Sequence, residues 1–238
     1  MGKMGGDTRL KRQLAPTFWN IPRKQSQFVL KASPGPHRKH KSYPLGIILR
    51  DVLNVADSMH EAKTIVSAGK IRVDGIERRD VKFPVGLMDV IELTTNGRSY
   101  RFVPRDSKLL VPVEIQDPEK MVKFVKVSSK ITTKGGKLQY GFHDGRTMIS
   151  EQPLSVGDTC LLDFEKLTIK DIVKFEKGNL GLITSGDNAG SFGRIEDIKD
   201  GLFSLPKRVI LSLENRSVEL PTAIVMAVGL ETPLIKVN

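Results

Sequence analysis

Ten of this chain's eleven net positive charges lie in its first fifty residues. Met1–Arg50 carries eleven lysines and arginines against one acid, Asp7, and from Thr8 to Arg50 there is no carboxylate side chain at all. Such a segment cannot neutralise itself, and Pro16, Pro22, Pro34, Pro36 and Pro44 deny it a sustained helical or strand period. Residues 1–44 therefore read as a basic extended arm that docks onto something, with Phe18, Trp19 and Phe28 interspersed among the cations. A concentrated arm on a near-neutral body suits neutralisation of phosphates by the arm while folded modules supply shape. The other reading of such a run is a solvated tail; with the arm as a phosphate anchor, deleting residues 1–44 is expected to flatten the salt dependence of binding while leaving the body folded.

The remaining 188 residues are nearly neutral, and a hydrophobic content of 39% is enough to bury cores in one to three compact domains. A pI near 9.7 points to a polyanion, either nucleic acid or an acidic membrane surface. The longest apolar stretch, Ala223–Leu230, is too short to span a bilayer, and the N-terminus has no apolar leader core. Gly2 would suit myristoylation, but position 6 is Gly6 where Ser or Thr is needed. The one cysteine, Cys160, sits in the apolar run CLLDF, a buried strand, and fits a reducing, cytoplasmic setting.

The pattern along the chain predicts an α+β, mainly β protein in several domains. After the arm, residues 45–93 form a small module of two helices on a sheet. Leu45, Ile48, Leu49, Val52 and Leu53 have helical spacing. Ser58-Met59-His60-Glu61 is a capping box that starts a second helix with Ala62, Ile65 and Val66 inward, and Gly69 stops it. Asp74-Gly75 suits a tight hairpin after Ile71 and Val73. Residues 94–175 read as a central β domain: Asn96-Gly97 joins two alternating strands, and further strands are predicted near 111–115, 122–127, 138–142 and 159–164. Residues 176–238, with short apolar runs broken by Gly, Asp and Asn, have the rhythm of a small β-barrel.

Catalytic chemistry is hard to place. Gly135-Gly136-Lys137 is followed by Leu138 and Gly69-Lys70 by Ile71, so no phosphate-binding loop with a magnesium-holding hydroxyl occurs. The histidines lack metal-ligand spacing: His37 and His40 sit among cations, and His60-Glu61 has no second histidine. Asp158, Asp163, Asp187 and Asp197 fall at turns or on alternating strand faces, where turn formation and solvation account for them. No metal, cofactor or small-molecule substrate is expected. On the helical module, Lys63 and Ser67 share a helix face, and Lys70, Arg72, Arg78 and Arg79 follow, a set that forms either a basic ridge for structured RNA or an ordinary solvated face.

VDGIERRDVKFPVGLMDVI, residues 73–91, resembles the signature of the archaeal and eukaryotic "e"-type small-subunit ribosomal protein four family. The elements are Val73-Asp74-Gly75, Arg78-Arg79-Asp80 and Pro84-Val85-Gly86-Leu87-Met88-Asp89-Val90-Ile91. LKRQLAPTFW (10–19) and SPGPHRKHKSYPL (33–45) resemble the same family's arm. The helical module is similar to an RNA-binding domain shared with the bacterial namesake and some pseudouridine synthases. Met59 departs from an arginine common there, while Lys63 fits a second basic position. LITSGDNAGSFGRIEDI (182–198) looks like a KOW motif, which any Gly- and Asn-rich hairpin also resembles.

The resemblance implies a non-catalytic constituent of the small ribosomal subunit, in the cytoplasm, with small-subunit rRNA and neighbouring ribosomal proteins as partners and no membrane. The candidate RNA-binding residues are Arg9, Lys11, Arg12, Arg38, Lys39 and Lys41 on the arm and Arg50, Lys63, Lys70, Arg72, Arg78 and Arg79 on the module, with Gly186, Asn188 and Arg194 on the KOW-like hairpin. Phe18 and Trp19 are read either as stacking on RNA or as packing in a groove of the protein itself. The rival readings are an RNA-modification-associated factor, which needs a large catalytic domain, and a KOW-containing transcription-elongation factor, which needs a different module ahead of the barrel.

Overall fold

The computed structural model describes residues 9–164, 166–213, 216–230 and 232–235. Lys3 and Asp7 of the arm lie outside them. The described part of the arm contains two short strands, β1 (Leu10–Lys11) and β2 (Phe28–Val29), paired antiparallel, and a third, β3 (Tyr43–Pro44). A short helix follows: α1 (Leu45–Ile47) widens into π geometry over Ile48–Val52, closed by a Leu53 N–H to Ile48 carbonyl bond of 2.8 Å. Helix α2 (Met59–Ser67) starts where the capping box predicts. The Glu61 N–H donates to Ser58 Oγ at 3.1 Å, and the Glu61 carboxylate reaches back to the Asp57 N–H at 2.8 Å. Ala62 and Val66 are buried, and Gly69 takes a φ of +73° where the helix ends.

Strands β4 (Ile71–Val73) and β5 (Ile76–Glu77) form a tight hairpin, with Asp74 and Gly75 both at positive φ. Next come β6 (Pro84–Val85), which pairs with β3, then β7 (Val90–Leu93), β8 (Arg98–Arg105) and β9 (Lys108–Ile115). The first five-stranded sheet has the order β5-β4-β7-β8-β9. It therefore runs across residue 93 to Ile115, because β7 and β8 are the two arms of the Asn96-Gly97 hairpin.

The second sheet is built from β10 (Val122–Thr132), β11 (Leu138–Phe142), β12 (Thr147–Ile149), β13 (Thr159–Asp163) and β14 (Thr168–Val173), in the order β12-β11-β10-β13-β14. The long strand β10 pairs with β13 through Lys126 and with β11 from Val127 onward, with a bulge between Val127 and Ser129. The third comprises β15 (Leu180–Ile183), β16 (Phe192–Lys199), β17 (Arg208–Ser212), β18 (Ser217–Pro221) and β19 (Val225–Gly229), ordered β18-β17-β16-β15-β19. All strand pairings within these three sheets are antiparallel. The mainly β composition and the small helical module agree with the sequence pattern.

Two packing features connect these parts. One core joins Leu10, Trp19, Ile21 and Tyr43 of the arm to Leu45, Ile48, Leu49 and Val66 of the helices and Ile71, Ile91 and Phe102 of the first sheet. A second draws Val103 and Val113 from the first sheet, Val122 and Phe124 from the second, and Leu182, Met226 and Val228 from the third. The arm is therefore not a removable tail. Trp19 is 2% exposed, stacks on Tyr43 at 6.0 Å and donates its indole N–H to the Ser42 carbonyl at 2.9 Å. Of the two readings of Trp19, packing in the protein's own groove is the one observed. Phe18 sits edge-on to Tyr43, whose hydroxyl donates to the Phe18 carbonyl at 2.7 Å.

Candidate nucleic-acid interface

The cations read from the sequence divide by what they touch. Arg12 is occupied internally, donating to the Ile21 carbonyl at 2.5 Å and the Pro22 carbonyl at 3.2 Å, which pins the turn that carries Trp19. Arg9 lies over the Phe28 ring at 5.5 Å, and Arg78 over the Phe83 ring at 4.4 Å. Arg50 pairs with its neighbour Asp51 at 2.9 Å, and Arg79 with Glu77 at 2.7 Å. By contrast Lys11, Arg38, Lys41, Lys63, Lys70 and Arg72 are exposed and Lys39 is half-buried, and none of them makes an ion pair among the described residues. Lys63 is exposed on α2 at the flank of buried Ala62 and Val66, and Arg72 alternates with buried Ile71 and Val73, so both stand on rigid elements.

The glycine-rich loop between β15 and β16 has an internal partner. Gly190 has a φ of +91°, and a Cβ built there would fall 2.6 Å from the Arg105 Cα, so only glycine lets this loop lie against the β8–β9 hairpin. Ser107 completes the contact, its N–H donating to the Ala189 carbonyl at 3.0 Å and its hydroxyl to the Asp187 carbonyl. Asn188 accepts from Arg216 at 2.6 Å. Gly186 faces open space, and Arg194 is exposed without an ion-pair partner among the described residues.

Sequence reasoning missed a buried ionic joint. Lys123, wholly buried on β10, directs its ammonium at three carboxylates: Asp74 Oδ2 at 2.9 Å, Asp89 Oδ1, and Asp144 Oδ2 at 3.2 Å. Two of its N–H groups donate, to Asp74 and Asp89, while Asp144 Oδ2 is a charge contact without a hydrogen bond. Arg146 adds a 3.0 Å bond to Asp74, and His37 Nε2 from the arm lies 2.9 Å from Asp89 Oδ2. Asp74 and Asp89 also accept the Val90 and Gly86 N–H groups at 3.0 and 2.8 Å. Burial opposes the charge on Asp89, but Lys123 and His37 outweigh it and hold its carboxyl well below the usual range. Burial likewise opposes the ammonium, yet the three carboxylates keep Lys123 above the ordinary lysine value. Asp74 is the carboxyl that burial pushes upward.

The residues 73–91 signature therefore places two carboxylates that clamp the arm, the helical module and the second sheet together. A clue was present in VKFVKV, where Lys123 stands among apolar residues on both faces of its strand. Two acids read as turn-forming and solvated groups are instead buried. Asp158 accepts the Ser155 and Phe175 N–H groups at 2.8 and 2.9 Å, and Asp163 pairs with Lys170 at 2.9 Å. Cys160 is buried, its thiol pushed up to about 12 by burial and then by Asp158. No group of three or more potential metal ligands occurs, and no helix is long and apolar enough to cross a membrane, among the described residues.

A mainly β body that fixes unpaired cations on a short helical module, and anchors an arm whose described part has no acid, defines a nucleic-acid-binding scaffold. Three family models match successive stretches of the chain: the RS4NT (NUC023) domain over residues 4–40, the S4 domain over 48–91, and Ribosomal family S4e over 96–169. The small ribosomal subunit protein eS4 of Pyrobaculum islandicum is 40% identical over 237 residues, covering 96% of this chain and 98% of the relative. That of Ignicoccus hospitalis is 38% identical over 250 residues, covering 99% and 97%. The crystal structure of the 30S ribosomal protein S4e from Thermoplasma acidophilum gives a TM-score of 0.69 at 32% identity, over 80% of this chain and 96% of that one. The chain belongs to the S4e family of ribosomal proteins.

Proposed function

We propose that this protein is a non-catalytic constituent of the small ribosomal subunit, working in the cytoplasm, where it binds rRNA and meets neighbouring ribosomal proteins. One observation carries the reading: between Thr8 and Arg50 there is no acid, and Lys11, Arg23, Lys24, Arg38, Lys39 and Lys41 make no ion pair among the described residues. Cations left in this state on an anchored backbone are matched by phosphates. Relatives that are small ribosomal subunit proteins align over 96% of the chain, which favours this reading over an RNA-modifying enzyme.

In this reading the arm (1–44) and the helical module (45–93, its sheet extending to Ile115) supply the phosphate contacts. Lys63, Lys70 and Arg72 form the ridge, and Arg38, Lys39 and Lys41 add cations from the arm; Arg50, Arg78 and Arg79 contribute where their internal partners leave donors free. The central β domain (to residue 175) joins the arm, the module and the C-terminal part. Residues 176–238 form a KOW-type small barrel that offers Gly186 and Asn188 at its loop and Arg194 on β16. What supports the barrel is the five-stranded antiparallel sheet with LITSGDNAGSFGRIEDI running along β15, the loop and β16.

The test is gradient sedimentation of tagged protein in cell extract, with salt titration of its binding to a small-subunit rRNA transcript. It should co-migrate with small subunits, and six to ten phosphate contacts give a log-log salt slope of about −5 to −9. Co-migration with RNA polymerase, or a flat salt response, would defeat the proposal.

A further inference from the structure

Where the arm, the second sheet and the third sheet meet, a cleft of about 360 Å³ opens. Its lining contains Arg38, Lys41 and Lys126 and no carboxylate, whereas the cleft around the ionic joint is lined by Asp74, Asp89 and Asp144. One wall is apolar, formed by Leu87, Leu110, Phe142 and Met226. Lys126 donates to the Thr222 and Val225 carbonyls, both at 2.5 Å, which leaves one N–H of its ammonium. His143, beside it, accepts the Lys126 backbone N–H at Nδ1 (3.1 Å), and its Nε2 lies 3.3 Å from the Leu87 carbonyl. Burial, then the charges of Lys123 and Asp144, shape its titration, with the net effect of pushing it down to about 4, so it stays neutral and holds the cleft's shape. Burial first, and then the nearby charge of Lys41, push Lys126 down to about 8.

We propose that this cleft holds one unstacked nucleotide of rRNA, its phosphate against Arg38, Lys41 and the remaining N–H of Lys126, and its base against the apolar wall. The volume falls in the range of pockets for small organic ligands, and the pairing of a cationic rim with an apolar wall matches a nucleotide's two ends. An acidic side chain of a neighbouring protein would satisfy the rim but leave the wall empty. The inference rests on the rRNA-binding reading. It adds that one nucleotide, by entering between three parts of the chain, fixes their arrangement on the RNA.

The test uses the full chain bound to a small-subunit rRNA transcript, with short-wave ultraviolet crosslinking, protease digestion and mass spectrometry. A nucleotide adduct is expected on a peptide containing Leu110 or Phe142. Ser185→Trp fills the cleft without changing its charge and should abolish that adduct and weaken binding about tenfold, the size of one stacked base. Ala223→Leu, a smaller filler, should move both readouts the same way, and a thermal melt of each variant reports the fold. Arg38→Gln with Lys41→Gln should weaken binding and flatten the salt slope. Fillers that bind like the wild type while only the charge variant weakens would reduce the site to surface phosphate contact and overturn the proposal. So would a crosslink from the cleft to a neighbouring protein in native subunits in place of a nucleotide. If the wild-type chain fails to bind the transcript at all, the rRNA-binding reading itself falls.

Discussion

Replacing Lys123 by Met removes the ammonium that three buried carboxylates share. The side chains of Lys123, Asp74, Asp89 and Asp144 are 0, 7, 2 and 1% exposed, so little solvent is at hand to take over its role. Met preserves length and most of the volume, which makes the loss electrostatic and not a cavity effect. Removing one partner from a buried ion pair costs about 3–5 kcal/mol. Arg146 keeps its contacts with Asp74 and Asp144, so the low end of that range is expected, still a large share of the roughly 5–15 kcal/mol that holds a domain folded. The dependence on pH gives a sharper test. In the wild type Asp89 is held below its ordinary value, so its stabilisation is present at neutral pH and is lost only as pH falls below the carboxylate range. Lys123 is held above its ordinary value, so its contribution is complete at every pH below the lysine range. Without the ammonium, burial dominates: the carboxyls bind protons more readily folded than unfolded, and the variant regains stability on mild acidification. Urea unfolding at about pH 7.5 and about pH 5.5 should show the gap between variant and wild type shrinking at the lower pH. A loss below about 1 kcal/mol at the higher pH, or a gap equal at both, would refute the argument.

Four further outcomes follow from the packing and from the exposed cations. Trp19→Ala should cost about 3–5 kcal/mol in chemical denaturation, and deletion of residues 1–44 should abolish the body's cooperative melting, since the arm contributes Leu10, Trp19, Ile21 and Tyr43 to the first core. Gly190→Ala should lower the melting temperature more than Gly186→Ala. Both sit at positive φ, but only the former meets backbone, at 2.6 Å from Arg105; strain at φ alone costs on the order of 1–3 kcal/mol. Changing Lys63, Lys70 and Arg72 together to Ala should weaken rRNA binding and reduce the salt slope by about 3 if each meets one phosphate, with the melting temperature unchanged because exposed, unpaired cations add little to the fold.

What could be read from the sequence was local. The Ser58–Glu61 box, the Asp74-Gly75 and Asn96-Gly97 hairpins and the strands near 122–127, 138–142 and 159–164 each depend on residues within a few positions of one another, and the structure has them there. That the sheet of the helical module continues past residue 93 to Ile115 was not legible, for the same reason. Hairpin signals show that β7 and β8 pair, but not that β8 and β9 extend the sheet of the preceding module. Which cations remain available was equally hidden. Arg12 and Lys11 are adjacent and chemically alike in the sequence, yet the first is occupied by carbonyls nine and ten residues away and the second is exposed.

The residues 73–91 signature shows why motif and mechanism have to be argued separately. Its fixed spacing identified the family, and its cations drew attention as RNA contacts, but Arg78 and Arg79 are engaged by Phe83 and Glu77. Its two best-placed acids instead face inward to Lys123, 49 and 34 positions further along the chain. A carboxylate that organises an ammonium at that separation leaves no local trace in the sequence except its own fixed position. The physical consequence is that RNA affinity and signature integrity should separate on mutation. Asp89→Asn should disturb the joint between arm and body and lower the melting temperature, while the salt slope of the protein that remains folded stays as in the wild type. Tighter binding or a steeper slope with the melting temperature intact would put Asp89 at the RNA surface, against its 2% exposure.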